Sequence, residues 1–249
     1  MINNVECLGH SSIKMYLNYK IIYIDPYNIS SKNNKDADLI LITHSHYDHY
    51  SEKDILQIKK DNTKIIITED LIEKTIQLGF SEKNIISIVP NQILNVFDIN
   101  IQTIPSYNTN KSFHPKENNW VGYVLDNKET RYYITGDTDL IPESEEVKCD
   151  VLFVPIGGTY TMDYKEASSL TNIINPKYVI PIHYGTIVGS KEDAIKFEKL
   201  ISKDIKCEIM LWIDIINNLK YKNIVVKTLY FFVFKIFSNL IEKKPIFLL

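Results

Sequence analysis

Two β-sheets packed face to face with helices outside, a four-layer α/β/β/α sandwich, is the architecture predicted for this 249-residue chain. Three observations carry it. Short β-type runs rich in Ile and Tyr open the chain and then alternate with helical segments, and the progression restarts after a loop at 105–119. No Pro/Gly/Ser-rich linker, low-complexity stretch or repeat of roughly 20–50 residues divides the halves. Hydrophobic residues make up 45% and charged residues 24%, a mixture that excludes a disordered or fibrous chain and can fill one large core.

In the first half, Val5–Leu8, Ile13–Leu17, Ile21–Ile24 and Leu39–Ile42 read as strands. Ser51–Lys60 reads as a helix with Ser51 at its N-cap and Ile55 and Ile58 on one face. Lys64–Thr68 is a strand, Leu71–Leu78 a helix ended by Gly79, Ile85–Val89 a strand, and Ile93–Val96 with Ile99–Ile104 a hairpin. In the second half, Val121–Leu125 and Arg131–Thr135 are strands joined by a polar turn, and Val151–Val154 is another. Tyr164–Ile174 is a helix capped by Asp163, with Ala167, Leu170, Ile173 and Ile174 on its inner face. Tyr178–Ile182 is a strand, Lys191–Ile201 a helix and Cys207–Leu211 the last strand.

A net charge of −3 and a pI near 6.1 give no basic field for nucleic-acid binding. Residues 212–249 hold six Lys against Asp214 and Glu242, so the acidity lies in residues 1–211. Three widely separated Cys (7, 149 and 207) form no C-x-x-C pair, which disfavours a disulfide framework and fits a reducing cytoplasm. The N-terminus lacks the basic start and apolar run of a signal peptide. The nearest approach to a membrane span, Ile224–Ile241, is interrupted by Lys227 and Lys235. A cytoplasmic protein is expected.

Three of the six His and one Asp fall in a single hexapeptide, His44-Ser45-His46-Tyr47-Asp48-His49, between a strand end and a helix start. Strand ends are where an α/β fold gathers its chemistry. Four ligand-type side chains in six residues point too many ways for one ion, but they serve two adjacent ions. His44 and His46 then face one, and Asp48 and His49 the other. Further ligand types stand in the same setting: His114 in Phe113-His114-Pro115, Asp137 in Thr135-Gly136-Asp137-Thr138, and His183 in Pro181-Ile182-His183-Tyr184-Gly185. Each alone reads as well as a satisfied polar group or plain turn chemistry. Together they complete two first-row metal sites rich in imidazole and carboxylate.

The His-x-His-x-Asp-His run, the later His, the Gly-Asp and the last His resemble the metallo-β-lactamase superfamily of metal-dependent hydrolases, over about residues 4–211. Gly9-His10-Ser11, Ile24-Asp25-Pro26, Phe113-His114-Pro115-Lys116, Gly157-Gly158-Thr159-Tyr160-Thr161-Met162 and Pro181-Ile182-His183-Tyr184-Gly185 resemble, more narrowly, the branch related to the ascorbate-phosphate lactonases. The resemblance implies the same αββα sandwich. It implies His44, His46 and His114 on a first metal, Asp48, His49 and His183 on a second, and Asp137 bridging. It further implies two divalent ions, zinc or alternatively manganese, that share a water as hydroxide and cleave an ester-like bond in a lactone or phosphodiester. Asp48, Asp137 and His183 would stand nearest the reaction. The hydrolase domain would be 1–211. Residues 212–249 carry no resemblance and read as a packed or dimer-interface helix, a membrane-surface segment, or sequence foreign to the fold.

Weaker signals surround these. Asp25 suits the second nitrogen of a ligating His, or a turn cap. His10 reads as a contact at the pocket rim or as a hydrogen-bonded loop residue. Lys111 and Lys116 flank His114 and suit an anionic small-molecule substrate, or are solvated loop lysines. Tyr160 and Tyr184 follow strand ends and suit donation to a developing oxyanion, or packing. Gly157-Gly158 precedes no helix and reads as room for backbone near the site. Two rival functions remain at this level: a phospholipase-D-like phosphodiesterase acting on lipid, favoured only by the apolar tail, and a non-catalytic metal-binding or assembly module.

Overall fold

In a computed structural model that describes residues 2–30 and 35–210, the Ile-rich runs of the first half form one sheet. Its six strands are β1 (Val5–Gly9), β2 (Ser12–Leu17), β3 (Lys20–Ile24), β4 (Ala37–Leu41), β5 (Lys59–Thr68) and β6 (Ile85–Ile88), neighbours in chain order. β1 to β3 pair antiparallel and β3 to β6 parallel. Parallel pairing requires crossovers; α1 (Glu52–Ile58) lies between β4 and β5, and α2 (Ile72–Gln77) between β5 and β6. The period-2 alternation shows what each face buries. Tyr23, Ile40, Ile42, Ile65 and Ile67 cluster with Ile55, Ile58 and Leu71 from the helical side. Ile22, Ile24, Leu39, Leu41 and Ile66, on the opposite face, are equally buried. Each such Ile stabilises the fold by roughly 1.5–3 kcal/mol. A sheet buried on both faces needs a second layer against it.

The second half supplies that layer. β7 (Ile93–Val96), β8 (Ile99–Pro105), β9 (Val121–Asp126), β10 (Arg131–Ile134), β11 (Val151–Pro155), β12 (Tyr178–Ile182) and β13 (Lys206–Cys207) form a sheet in the order β13-β12-β11-β10-β9-β8-β7. β7 to β10 are antiparallel and β10 to β13 parallel. α4 (Tyr164–Ile174) packs on β11, with α3 (Pro142–Glu145) and α5 (Lys191–Leu200) beside it. Across the sandwich the Tyr123 hydroxyl donates to the Ile42 carbonyl at 2.5 Å, and the Val121 N–H donates to the Thr43 carbonyl at 3.1 Å. The predicted four-layer αββα sandwich is the fold.

Differences lie at element ends. α1 stops at Ile58, two residues short of the expected Lys60, because Lys59 already pairs with Ala37 in β5. The ladder then bulges, and the Thr63 hydroxyl donates to the Ala37 carbonyl. α2 is shorter than expected, its first turn being a 3-10 turn at Glu69–Leu71. α4 has the expected Asp163 cap, completed by Glu166 reaching back to the Asp163 N–H. Its inner stripe is Ala167, Leu170, Thr171 and Ile174; Ile173 is exposed, which corrects its expected placement. The stripe follows i, i+3, i+4, i+7 from Ala167, and position 173 falls outside it. α3 was not expected, since four residues cannot show a helical period. The expected strand Cys207–Leu211 is β13, Lys206–Cys207. Residues 212–249, with every role expected of them, lie outside the described residues. Cys7, Cys149 and Cys207 are free thiols. Among the described residues no helix is long and apolar enough to cross a membrane.

Candidate metal centre

Parallel strands end together at one edge of the sandwich, and the loops leaving those ends build the site. The hexapeptide His44–His49 comes after β4, Asp25 after β3, Asp137 after β10 and His183 after β12. His10 comes from the β1–β2 turn and His114 from the loop between β8 and β9. The structure brings all seven expected ligand side chains together. His44, His46 and His114 form one group of ligand atoms, His44, His49 and Asp137 a second, and Asp48, His49, His183 and His10 a third, all within 4.8 Å inside each group. Asp137 is the hub. Its Oδ2 lies 3.0 Å from His183 Nε2, 3.4 Å from His114 Nε2 and 3.9 Å from His44 Nε2, while Oδ1 lies 3.4 Å from His49 Nε2.

The chain also fixes which imidazole nitrogen faces inward. Asp25, as a carboxylate, only accepts. It takes hydrogen bonds from the Thr43 N–H, the Thr43 hydroxyl and His49 Nδ1, at 2.8, 2.7 and 2.7 Å. The Thr43 hydroxyl, its proton used, accepts from His44 Nδ1 at 2.9 Å. His114 Nδ1 donates to Asn108 Oδ1 at 3.1 Å. Each bond turns Nε2 toward the centre, which is how a ligating His is oriented. Nε2 of His49 and of His114 is buried without a hydrogen-bond partner, and an orphaned buried nitrogen is costly. The imidazole and carboxylate donors suit a first-row divalent cation. The residues therefore fit the metal that their resemblance implies.

Without a cation, the buried carboxylates are balanced by imidazole protons, which a bound metal would displace. Burial alone would raise the Asp137 carboxyl, but His183 and His49 hold it well below the usual carboxylate range. Burial alone would lower His49, but Asp137 and Asp25 carry it well above the usual histidine range. Burial, reinforced by His49, pushes His44 well below that range. Among the described residues, the ion pairs of the buried carboxylates Asp25, Asp48 and Asp137 are all made with imidazoles.

The weaker candidates divide. Asp25 orients His49 through its Nδ1 bond. His10 Nε2 donates to Asp48 Oδ2 at 3.0 Å, and the Thr186 hydroxyl lies 3.2 Å from its Nδ1. Its burial takes the imidazole down to about 4, so it is neutral at pH 7. Tyr160 lines a cavity of about 190 Å³ with His46, Tyr47, Asp48, Phe113, His114, Asp137, His183 and Ile187. Tyr184 is buried and is not part of that wall. Lys116 is not part of it either, its amine lying 3.0 Å from Glu143.

Sequence reading missed the supports. Trp120 packs its ring against His44, His46 and His114 at 5.0, 4.8 and 5.6 Å between centroids. Asp139, 1% exposed, accepts from Asn108 Nδ2, the Thr109 N–H and Lys111 Nζ, and so ties down the loop that carries His114. The only available signal was its place two residues after Asp137. Asp139→Ala is expected to weaken metal binding at the His114 side by tenfold to a hundredfold, roughly. Competition titration with a chromophoric chelator measures it, and an unchanged affinity would show the loop held without Asp139.

Fold and donor set together define a β-lactamase-type metallohydrolase scaffold. Residues 4–183 match the β-lactamase superfamily domain. The chain belongs to that superfamily and, within it, to the UPF0173 metal-dependent hydrolases. One such protein from Caldivirga maquilingensis is 30% identical over 230 residues, covering 86% of this chain and 97% of the relative. Another from Staphylothermus marinus is 30% identical, covering 83% and 94%. The solved structure of a metallo hydrolase from Ignicoccus hospitalis shares the fold, with a TM-score of 0.67, 24% identity, and coverage of 83% and 94%.

Proposed function

We propose that the chain is a dinuclear metal-dependent hydrolase that cleaves an ester-like bond, in a lactone or a phosphodiester. The observation that supports this most is the convergence of seven ligand-type side chains with Asp137 at their hub, five of them on the wall of one small cavity. Two divalent cations, zinc by the His-rich donor set or manganese, supply Lewis acidity toward the carbonyl or phosphoryl oxygen and make a water acidic near neutral pH. His44, His46 and His114 would hold one cation and Asp48, His49 and His183 the other, with Asp137 shared by both groups. Burial would raise the Asp48 carboxyl, but the His10 hydrogen bond and the His49 charge take it down to about 2. It is ionised in use. His10 holds Oδ2, which leaves Oδ1 to accept a hydrogen bond from the attacking water and so orient it. Tyr160 lines the cavity, and its phenol would donate to the developing oxyanion.

Protein made in metal-supplemented medium is expected to carry close to two first-row ions per chain and to turn over a generic lactone or phosphodiester only when metal is present. Elemental analysis showing none, together with no binding on titration, overturns the proposal.

A further inference from the structure

Tyr47 and Phe113 are 66% and 45% exposed, and both line the cavity. A single exposed aromatic is ordinary. Here two stand on separate loops, Tyr47 between His46 and Asp48 and Phe113 directly before His114, and both border the same small opening. Each is braced from behind. Phe113 meets Tyr160 edge to face at 4.7 Å and 86°, and Tyr47 meets Tyr27 at 6.0 Å and 75°. Ile187 completes the wall. Among the described residues no Lys or Arg lines it: Lys111 is bonded to Asp139, and Lys116 to Glu143 and the Tyr107 hydroxyl.

We propose that Tyr47, Phe113, Tyr160 and Ile187 form the specificity wall of the site, and that its substrate carries a flat, uncharged apolar group, a single aromatic ring, beside the bond that is cleaved. This rests on the hydrolase reading of the same site. Aromatic walls hold rings by offset and edge-to-face contact. A cavity of about 190 Å³ is smaller than the roughly 300–1,000 Å³ of pockets for drug-sized ligands, so one ring fits better than several. A charge on that ring would lose water against apolar carbon, with no Lys or Arg of the described wall to meet it.

The test uses the metal-loaded full chain with benzyl acetate, methyl acetate and 4-carboxybenzyl acetate, whose alcohol leaving groups differ little in reactivity. Benzyl acetate is expected to exceed methyl acetate in kcat/KM by about tenfold, and the carboxylate is expected to abolish that advantage. Phe113→Ala, Tyr47→Ala and the bulk-preserving Phe113→Leu should each pull the benzyl-to-methyl ratio toward one, mainly through KM. Binding of benzyl alcohol, followed by saturation-transfer NMR, should weaken in the same variants. A wild-type ratio near one, or a ratio the variants do not move, overturns the wall and leaves the hydrolase standing. Benzyl alcohol binding that needs Phe113, with none of the acetates nor a generic lactone or phosphodiester turned over, overturns the ester-cleaving reading of the site and keeps the wall. Neither binding nor turnover overturns both.

Discussion

Asp137→Ala is expected to lower turnover by about a thousandfold or more while the fold survives. Asp137 is 3% exposed, and its carboxylate lies among the inward nitrogens of His44, His49, His114 and His183. Without it the Nε2 atoms of His49 and His183 keep only Asp48, at 3.8 Å from each, and His44 and His114 lose the carboxylate that faces them. Bound cations stabilise the developing charge by several kcal/mol, and about 4 kcal/mol corresponds to a thousandfold. The fold should tolerate the change because the backbone anchor is independent: the Ser106 hydroxyl donates to the Asp137 carbonyl. Removing one partner of a buried ion pair is costly, but the imidazoles left behind can shed their protons, which limits that cost. Asp137→Asn keeps the shape without the charge and should fall nearly as far. The measurements are kcat, metal ions per chain and thermal midpoint. Wild-type turnover in Asp137→Ala would show that the Gly-Asp turn is only a turn.

How far the site was legible depends on where its information is written. His44, His46, Asp48 and His49 are adjacent in sequence, so their density was visible at once. His114, Asp137 and His183 were legible because each follows a recognisable strand or marks a loop between two. The supports were not, because Thr43, Asn108, Trp120, Asp139 and Thr186 are ordinary residues until the fold brings them to a ligand. Nor was the backbone. His10, Asp25 and His183 have φ of 51°, 46° and 57°, the left-handed region that non-glycine residues avoid. Turns and a helix end impose the same geometry elsewhere, at Asn18, Asn91 and Asn175 for example, so it marks these three positions only once the fold sets them beside the ligands. Of the fold, the Ile-rich strands and the capped helix α4 were plain from period and capping chemistry. The end of α1 was not. Its helical pattern runs on into Lys59 and Lys60, but pairing of Lys59 with Ala37 overrides local preference.

Gly157→Ala is expected to damage the centre from 26 positions away in the chain. A Cβ on Gly157 would stand 2.5 Å from the His183 carbonyl oxygen, 2.6 Å from Val188 Cγ2 and 3.1 Å from His183 Nδ1. Contacts that short cannot persist, so something must move. The candidates are restrained. The His183 N–H donates to the His10 carbonyl at 3.0 Å, the Ile156 N–H to the Ile182 carbonyl at 3.1 Å, and the Gly185 N–H to the Val188 carbonyl at 2.9 Å. The displaced group is then the loop that begins with His183, whose φ of 57° leaves little slack. Overpacking of this kind costs about 1–3 kcal/mol, or a fall of roughly 2–12 °C in the thermal midpoint of a domain this size. A shift of about 1 Å at a group near the reacting atoms costs on the order of a hundredfold in rate. The expected result is a folded protein with unchanged far-ultraviolet circular dichroism, a modestly lower midpoint, weaker binding of the metal near His183 and about a hundredfold slower turnover. Wild-type metal affinity and turnover in Gly157→Ala would mean that the 156–158 backbone can retreat without moving His183, and that the missing side chain at 157 is not what sets the geometry of the centre.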